Sequence, residues 1–240
     1  MAAVTADAFL DGRITIKQHR SGYRFSIDAV ILAAHARPRA GEAVVDLGTG
    51  CGVIPLILAH RNPDIRICGI EVQKELAEIA QWNVNDNNMA DRIVIRQQDI
   101  KRLTPGMVAG PVDLVVSNPP YRLTHSGRLN PDRQKAVARH EISVTLADVV
   151  ESANRILRTS GRFITIYPAE RLTDVISQMR TSRIEPKKLR TIHSGRSIGA
   201  KLILVEGVKA VNPGMKILPP LFIYTRQGGY SREVQKMFLH

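Results

Sequence analysis

The segment Asp46-Leu47-Gly48-Thr49-Gly50-Cys51-Gly52 constrains this chain more than any other. It follows AVVDL at 43–47, a run apolar and β-branched enough to form a strand buried on both faces. It opens into 52–61, where apolar residues recur at helical spacing. Pro55 falls in the first turn of that helix, where its missing N–H does little harm. Strand, glycine loop and helix form the opening unit of an α/β sheet, and the rest of the chain keeps that rhythm. Strands are expected at 65–70, 93–96, 112–117 and 161–167, alternating with helices at 74–87, 146–157 and 169–179. Two late strands, 188–192 and 202–208, have no helix between them, so a hairpin should turn one strand against the others. Short βα periods of this kind imply a mostly parallel sheet with helices on both faces. The 240 residues, 44% of them hydrophobic, hold no repeat, low-complexity tract or long linker, so a single domain over 1–240 is the expectation.

In open α/β sheets, ligands sit beyond the C-terminal ends of the strands, where the strand order reverses. Asp46 lies near the end of the first core strand, and Gly48, Gly50 and Gly52 take every second position after it. Glycine allows positive φ and a close approach of backbone to ligand. The dinucleotide fingerprint G-x-G-x-x-G, counted from Gly48, would need its third glycine at position 53, which is Val53. The spacing therefore argues against NAD. Glu71 ends the second core strand, where a carboxylate can accept both ribose hydroxyls of an adenosine, and Asp99 follows the third, within reach of an adenine amino group. Together these residues point to an adenosine-bearing cofactor. Ahead of the first core strand lies Gly22-Tyr23-Arg24-Phe25-Ser26-Ile27-Asp28-Ala29-Val30. Ser26 suits the N-cap of a helix over 27–36. The same segment, with Arg24 and Phe25, suits a flap over the cofactor. The residues support both readings, and 1–40 is taken as a cofactor-covering segment ahead of a core and tail at 41–240.

The second chemical signal is Asn118-Pro119-Pro120-Tyr121, at the end of the fourth core strand. Asn-Pro and Pro-Pro mark turns in general. Here every residue also has a chemical use. An exocyclic amine on a base is a poor nucleophile because its lone pair is delocalised into the ring. Two acceptors aimed at its N–H bonds favour a more tetrahedral nitrogen, and the Asn118 side-chain oxygen and the Pro119 carbonyl can be those acceptors. The two prolines fix the backbone that carries them. Tyr121 offers a face for stacking a base, worth roughly 1–3 kcal/mol. Such a site suits transfer of a methyl group to nitrogen with no strong general base, the product nitrogen losing its proton afterwards.

Charge narrows the partner. The formal net charge is +12, which favours a polyanion through attraction to phosphates and release of counterions. Residues 122–139 carry Arg122, Arg128, Arg133, Lys135 and Arg139 against the single acid Asp132, directly after the Asn-Pro-Pro-Tyr loop. These five are the expected nucleic-acid contacts. A second basic run holds Arg180, Arg183, Lys187, Lys188, Arg190, Arg196 and Lys201 against Glu185, and a solvated face or RNA contact both suit it. No metal is expected: His140-Glu141 begins like a zincin motif, but no histidine follows at the required place. Cys51 and Cys68 are too few for a disulfide framework and suit a reducing cytoplasm. No membrane span and no signal peptide are expected, since no run of eighteen apolar residues exists and the start lacks an apolar h-region. The sequence leaves the oligomeric state open.

With these residues in view, the chain resembles the class I S-adenosylmethionine-dependent methyltransferases. It looks, more narrowly, like the bacterial family that makes N6-methyladenine beside the anticodon of a valine tRNA. The resemblance rests on GYRFSIDAVILA at 22–33, DLGTGCG at 46–52, Glu71, Asp99, NPPY at 118–121, Arg139-His140-Glu141, and Gly229-Tyr230-Ser231-Arg232-Glu233-Val234. It implies a Rossmann-like fold with a mostly parallel seven-stranded sheet and one reversed strand, with S-adenosylmethionine as cofactor and tRNA as substrate. By the same resemblance, Asp46, Gly48, Gly50, Glu71, Asp99 and Asn118 contact the cofactor or frame its site, and Asn118, Pro119 and Tyr121 hold the target nitrogen. Release-factor glutamine methyltransferases present an amide to the same loop, but they carry a helical domain ahead of the core, and only about forty residues precede it here. DNA adenine and ribosomal guanine methylation are further alternatives. A degenerate fold that only binds RNA is the non-enzymatic one, and the intact Gly48, Gly50, Glu71 and Asn118 argue against it.

Overall fold

The computed structural model describes residues 4–19, 26–119 and 144–239. An antiparallel hairpin of β1 (Val4–Phe9) and β2 (Ile14–His19) precedes helix α1 (Ile27–Ala36). The core then alternates through β3 (Ala43–Leu47), α2 (Val53–Arg61), β4 (Arg66–Glu71), α3 (Lys74–Asp86), β5 (Ile93–Gln97) and β6 (Val112–Ser117). It continues with α4 (Leu146–Ile156), β7 (Leu157–Pro168), α5 (Leu172–Thr181), β8 (Ile184–His193) and β9 (Ala200–Lys209). The tail adds β10 (Lys216–Ile217), β11 (Leu221–Phe222) and α6 (Arg232–Leu239).

Seven principal strands lie in the order β8-β9-β7-β6-β3-β4-β5. All run parallel except β9, which is antiparallel to both β7 and β8. The two-residue strands β10 and β11 each pair with β8 and widen the sheet to nine. The expected seven-stranded sheet with one reversed strand is therefore present, and the late hairpin supplies the reversal. One hydrophobic cluster fills the face under α1, α2, the β1–β2 hairpin and α6, with Ile31, Leu56 and Ile14 fully buried. A second lies under α4 and α5, centred on Phe163.

Element ends differ from the sequence expectation where local chemistry misleads. Strand β7 begins at Leu157, not 161, because Arg158-Thr159-Ser160-Gly161 reads as a turn. The chain absorbs that segment with Ser160 at φ 62° and a register shift against β6 between Val112 and Leu114. Strand β8 begins at Ile184, ahead of Pro186, which sits at a register shift against β9. The helix expected at 169–179 is a 3-10 turn, Ala169–Arg171, leading into α5. Ser26 caps α1 as expected, its Oγ accepting from Asp28 N at 3.3 Å. At the other end of α1, Arg162 Nη1 donates to the Ala36 carbonyl at 3.1 Å and Nη2 to Glu42 at 2.8 Å.

The hairpin is held by a device with no sequence signature. Two asparagines four apart, Asn83 in the last turn of α3 and Asn87 at its C-cap, meet two residues two apart on β2. Asn83 Oδ1 accepts from Lys17 N at 2.8 Å and its Nδ2 donates to Lys17 O at 2.9 Å. Asn87 Oδ1 accepts from Thr15 N at 2.9 Å and its Nδ2 donates to Thr15 O at 2.8 Å. Four residues of helix rise about 6 Å, and two residues of strand about 6.7 Å, so the amides match the outer edge of β2.

Candidate active site

Sheet order reverses between β3 and β6, the two strands that flank the topological switch. Their register pairs Val44 with Leu114, Val45 with Val115 and Asp46 with Val116. The glycine loop and Asn118 therefore leave the same edge of the sheet side by side. Two buried hydroxyls fix that juxtaposition. Ser117 Oγ donates to Leu47 O at 2.8 Å, and Thr165 Oγ1 donates to Ser117 O at 2.9 Å. Asn118 is half-buried and Pro119 buried. Pro120, Tyr121, Arg122, Arg128, Arg133, Lys135, Arg139 and His140 lie outside the described residues, as do Arg24 and Phe25 of the covering segment.

The loop folds as the glycine spacing suggests. Gly48, Gly50 and Gly52 have φ of 76°, 57° and 83°. A Cβ added at Gly48 or Gly50 would meet nothing within 4 Å, so these two leave open space above the loop. Gly52 serves another purpose: its Cβ would stand 3.3 Å from Ala80 Cβ, so glycine there lets α2 start close against α3. The N–H groups of Gly48 and Thr49 both donate to Ile70 O at 2.9 Å. Glu71, nearly buried, clamps the loop from β4, Oε2 accepting from Gly50 N at 2.9 Å and Oε1 from Gln73 N at 3.0 Å. Asp99 is half-buried and accepts from Lys101 N at 2.9 Å, capping a 3-10 turn after β5. The three acids thus stand at the C-terminal ends of three adjacent parallel strands, Asp46 and Glu71 within the last two residues of β3 and β4 and Asp99 two residues past β5.

Asp46 is fully buried. Its Oδ2 accepts from Thr49 Oγ1 at 2.7 Å, while Oδ1 is buried with no partner among the described residues. Burial pushes its carboxyl up to about 7, against the pull of the Thr49 hydroxyl and with a further push from Glu71. A carboxyl raised from 3.8 favours the fold fully below pH 4 and loses that advantage as pH rises toward 7. The neutral variant Asp46→Asn should therefore gain on wild type between pH 4 and pH 8, by up to about 4 kcal/mol. Urea denaturation of the cofactor-free protein at the two pH values measures it. A difference that does not change with pH would show that burial of Asp46 costs nothing.

Two residues at the site escaped the sequence reading. Thr49 looks like loop filler, yet its hydroxyl holds Asp46. Asn83, fully buried, also donates from Nδ2 to Cys51 O at 2.9 Å, joining the hairpin to the glycine loop. The signal available for Asn83 was a polar residue on the apolar side of α3. The second basic run is not an open stripe. Arg180 pairs with Glu185 at 3.4 Å, Lys188 with Glu206 at 2.9 Å and Arg190 with Glu233 at 2.8 Å. Glu233 thereby gives the closing Gly229–Val234 segment a structural task. Among the described residues, no helix is long and apolar enough to cross a membrane.

Known proteins agree with this architecture. A predicted O-methyltransferase, Atu636 of Agrobacterium tumefaciens, superposes with a TM-score of 0.71 over 88% of this chain and 94% of its own, at 21% identity. The sheet order and the reversed strand are the fold of the class I methyltransferases, and its family and relatives make the chain an S-adenosylmethionine-dependent methyltransferase. The chain belongs to the methyltransferase small domain family, whose model matches residues 21–178. A tRNA1(Val) (adenine(37)-N6)-methyltransferase of Porphyromonas gingivalis is 34% identical over 206 residues, covering 83% of this chain and 80% of the relative. One of the same name from Trichodesmium erythraeum is 29% identical over 223 residues, covering 92% and 91%.

Proposed function

We propose that this chain methylates N6 of an adenine in tRNA, beside the anticodon. The observation that carries the reaction is the register that brings Asn118-Pro119 beside the glycine loop. The substrate is taken from the relatives, whose names specify adenine 37 of a valine tRNA, and from the net charge of +12. The 1–240 chain acts as a single domain in this reading, since both the hairpin and α6 pack into one shared core. It works in the cytoplasm, on an RNA substrate and without a metal.

The residues present fit S-adenosylmethionine. Gly48 and Gly50 leave room for close backbone approach, and Glu71 and Asp99 stand at the C-terminal ends of consecutive strands as acceptors for ribose hydroxyls and an adenine amine. Asp46 and Gly52 shape the loop, while Arg24, Phe25 and Ser26 form the covering segment. When bound, S-adenosylmethionine supplies an electrophilic methyl group. Asn118 Oδ1 and the Pro119 carbonyl accept the two N–H bonds of the target amine and turn its lone pair toward that methyl. Pro120 stiffens the loop and Tyr121 stacks on the base, which must be flipped or already unpaired to enter. Arg122, Arg128, Arg133, Lys135 and Arg139 hold adjoining phosphates. Catalysis is positioning plus preorganised acceptors.

Labelled S-adenosylmethionine, offered with unmodified tRNA, ribosomal RNA and release-factor protein, tests this. N6-methyladenosine in the tRNA digest is the expected product. Methylglutamine in the protein would keep the loop chemistry and move the substrate class.

A further inference from the structure

A cavity of about 890 Å³ opens on the face that carries α1 and α2, between their last turns, α6, β8 and β9. It lies at the far end of α2 from the glycine loop. Nine residues of helix separate the two, about 13 Å at 1.5 Å per residue. Its lining holds six arginines and lysines against two carboxylates.

Part of that positive charge is neutralised within the wall. Arg190 donates through Nη1 and Nη2 to the two oxygens of Glu233 at 2.8 and 2.9 Å, and Lys188 pairs with Glu206 at 2.9 Å. Arg190 Nη1 also lies 2.7 Å from His35 Nε2, while His35 Nδ1 lies 2.7 Å from Ile31 O. One ring nitrogen accepts and the other donates, so this imidazole is neutral. The remainder is unmatched. Arg13 in the β1–β2 turn, Arg37 at the end of α1 and Lys236 on α6 are exposed and make no side-chain hydrogen bond or ion pair among the described residues. Arg61 donates from Nη2 to Met237 O, yet its Nε is buried with no partner among the described residues. The neighbouring His60 is pushed down by burial and then by Arg13, Arg61 and Arg92, as expected where positive charge is in excess.

We propose that this cavity binds phosphates of the RNA backbone, a second anchor for the substrate away from the reacting base. The inference rests on the RNA reading above. The unmatched cations come from the hairpin turn, α1, α2 and α6 instead of converging from one loop, which suits successive phosphodiesters along a strand. The separation suits it too, since the length of α2, about 13 Å, spans several nucleotides of a backbone. An RNA stem whose loop delivers a base to Asn118 can reach the cavity along the α1–α2 face.

The test uses the full chain with S-adenosylmethionine and an unmodified anticodon stem-loop transcript. In the triple variant Arg13→Gln, Arg37→Gln, Lys236→Gln, no buried contact is lost, so cofactor affinity and thermal stability should match wild type. RNA affinity at 0.1 M salt should fall at least tenfold, on the order of what loss of two or three phosphate contacts produces. The slope of log K against log salt should become shallower by about 2, and KM should rise with kcat unchanged. Inorganic pyrophosphate should shift the His60 ring signals of wild type and leave those of the variant in place. Wild-type salt slope and KM in the variant would overturn the proposal. If pyrophosphate still moved His60 in that case, the cavity would belong to a small phosphorylated ligand. A wild type that methylates only protein would overturn the RNA reading itself, and that result is seen before any variant is made.

Discussion

Replacing Asn118 by alanine should lower kcat about a thousandfold while the affinity for S-adenosylmethionine stays within about threefold. The size follows from removing one of two preorganised groups that act on the reacting nitrogen, typically 10²–10³ in rate. The amine then loses the acceptor that turns its lone pair, and the Pro119 carbonyl alone leaves it free to rotate. Backbone placement should survive the change, because Ser117 Oγ on Leu47 O and Thr165 Oγ1 on Ser117 O hold the strand end. Aspartate at this position keeps an acceptor oxygen and should retain more activity than alanine. Single-turnover rates with saturating tRNA, beside calorimetric cofactor titrations, separate the outcomes. Turnover close to wild type would remove the proposed role, and a parallel collapse of cofactor affinity would recast Asn118 as part of the cofactor wall.

Glu71→Ala should weaken S-adenosylmethionine binding at least a hundredfold, about 3 kcal/mol. Two losses combine. The proposed contact to the ribose disappears, and so does the clamp on Gly50 N and Gln73 N that shapes the loop. Glutamine should do little better. Its amide offers one acceptor oxygen where the carboxylate uses both, and its NH₂ would face a backbone donor. Calorimetry on alanine and glutamine variants of equal apo stability measures the effect. Unchanged affinity in both would show that neither the ribose assignment nor the clamp matters for the cofactor.

Much of this was legible in the sequence. The glycine loop, the acids after successive strands and the asparagine after the fourth core strand all declare themselves through position relative to apolar runs. The late strands without an intervening helix announced β9, because an antiparallel neighbour needs no crossover. Most of what was hidden depends on partners distant in sequence. Asn83 carries no motif, and its role exists only once α3, β2 and the loop meet. Thr49 has its partner Asp46 only three residues away, but the hydroxyl gains its task only because the fold buries that carboxylate. The β1–β2 hairpin turns at Leu10-Asp11-Gly12, and two of these have the unusual φ of 51° and 53° despite not being glycine. The second basic run looked like a charged stripe because its countercharges, Glu206 and Glu233, sit on other elements.

Asn83 gives the fold a mechanical handle. One amide is shared between Lys17 of the hairpin and the Cys51 carbonyl of the glycine loop, so the two cannot shift independently. A tag, fusion or truncation at the N-terminal strand therefore pulls on the cofactor loop through a single side chain. For an engineer immobilising or splitting this enzyme, the N-terminal hairpin is a poor attachment point, however peripheral it looks on a topology diagram.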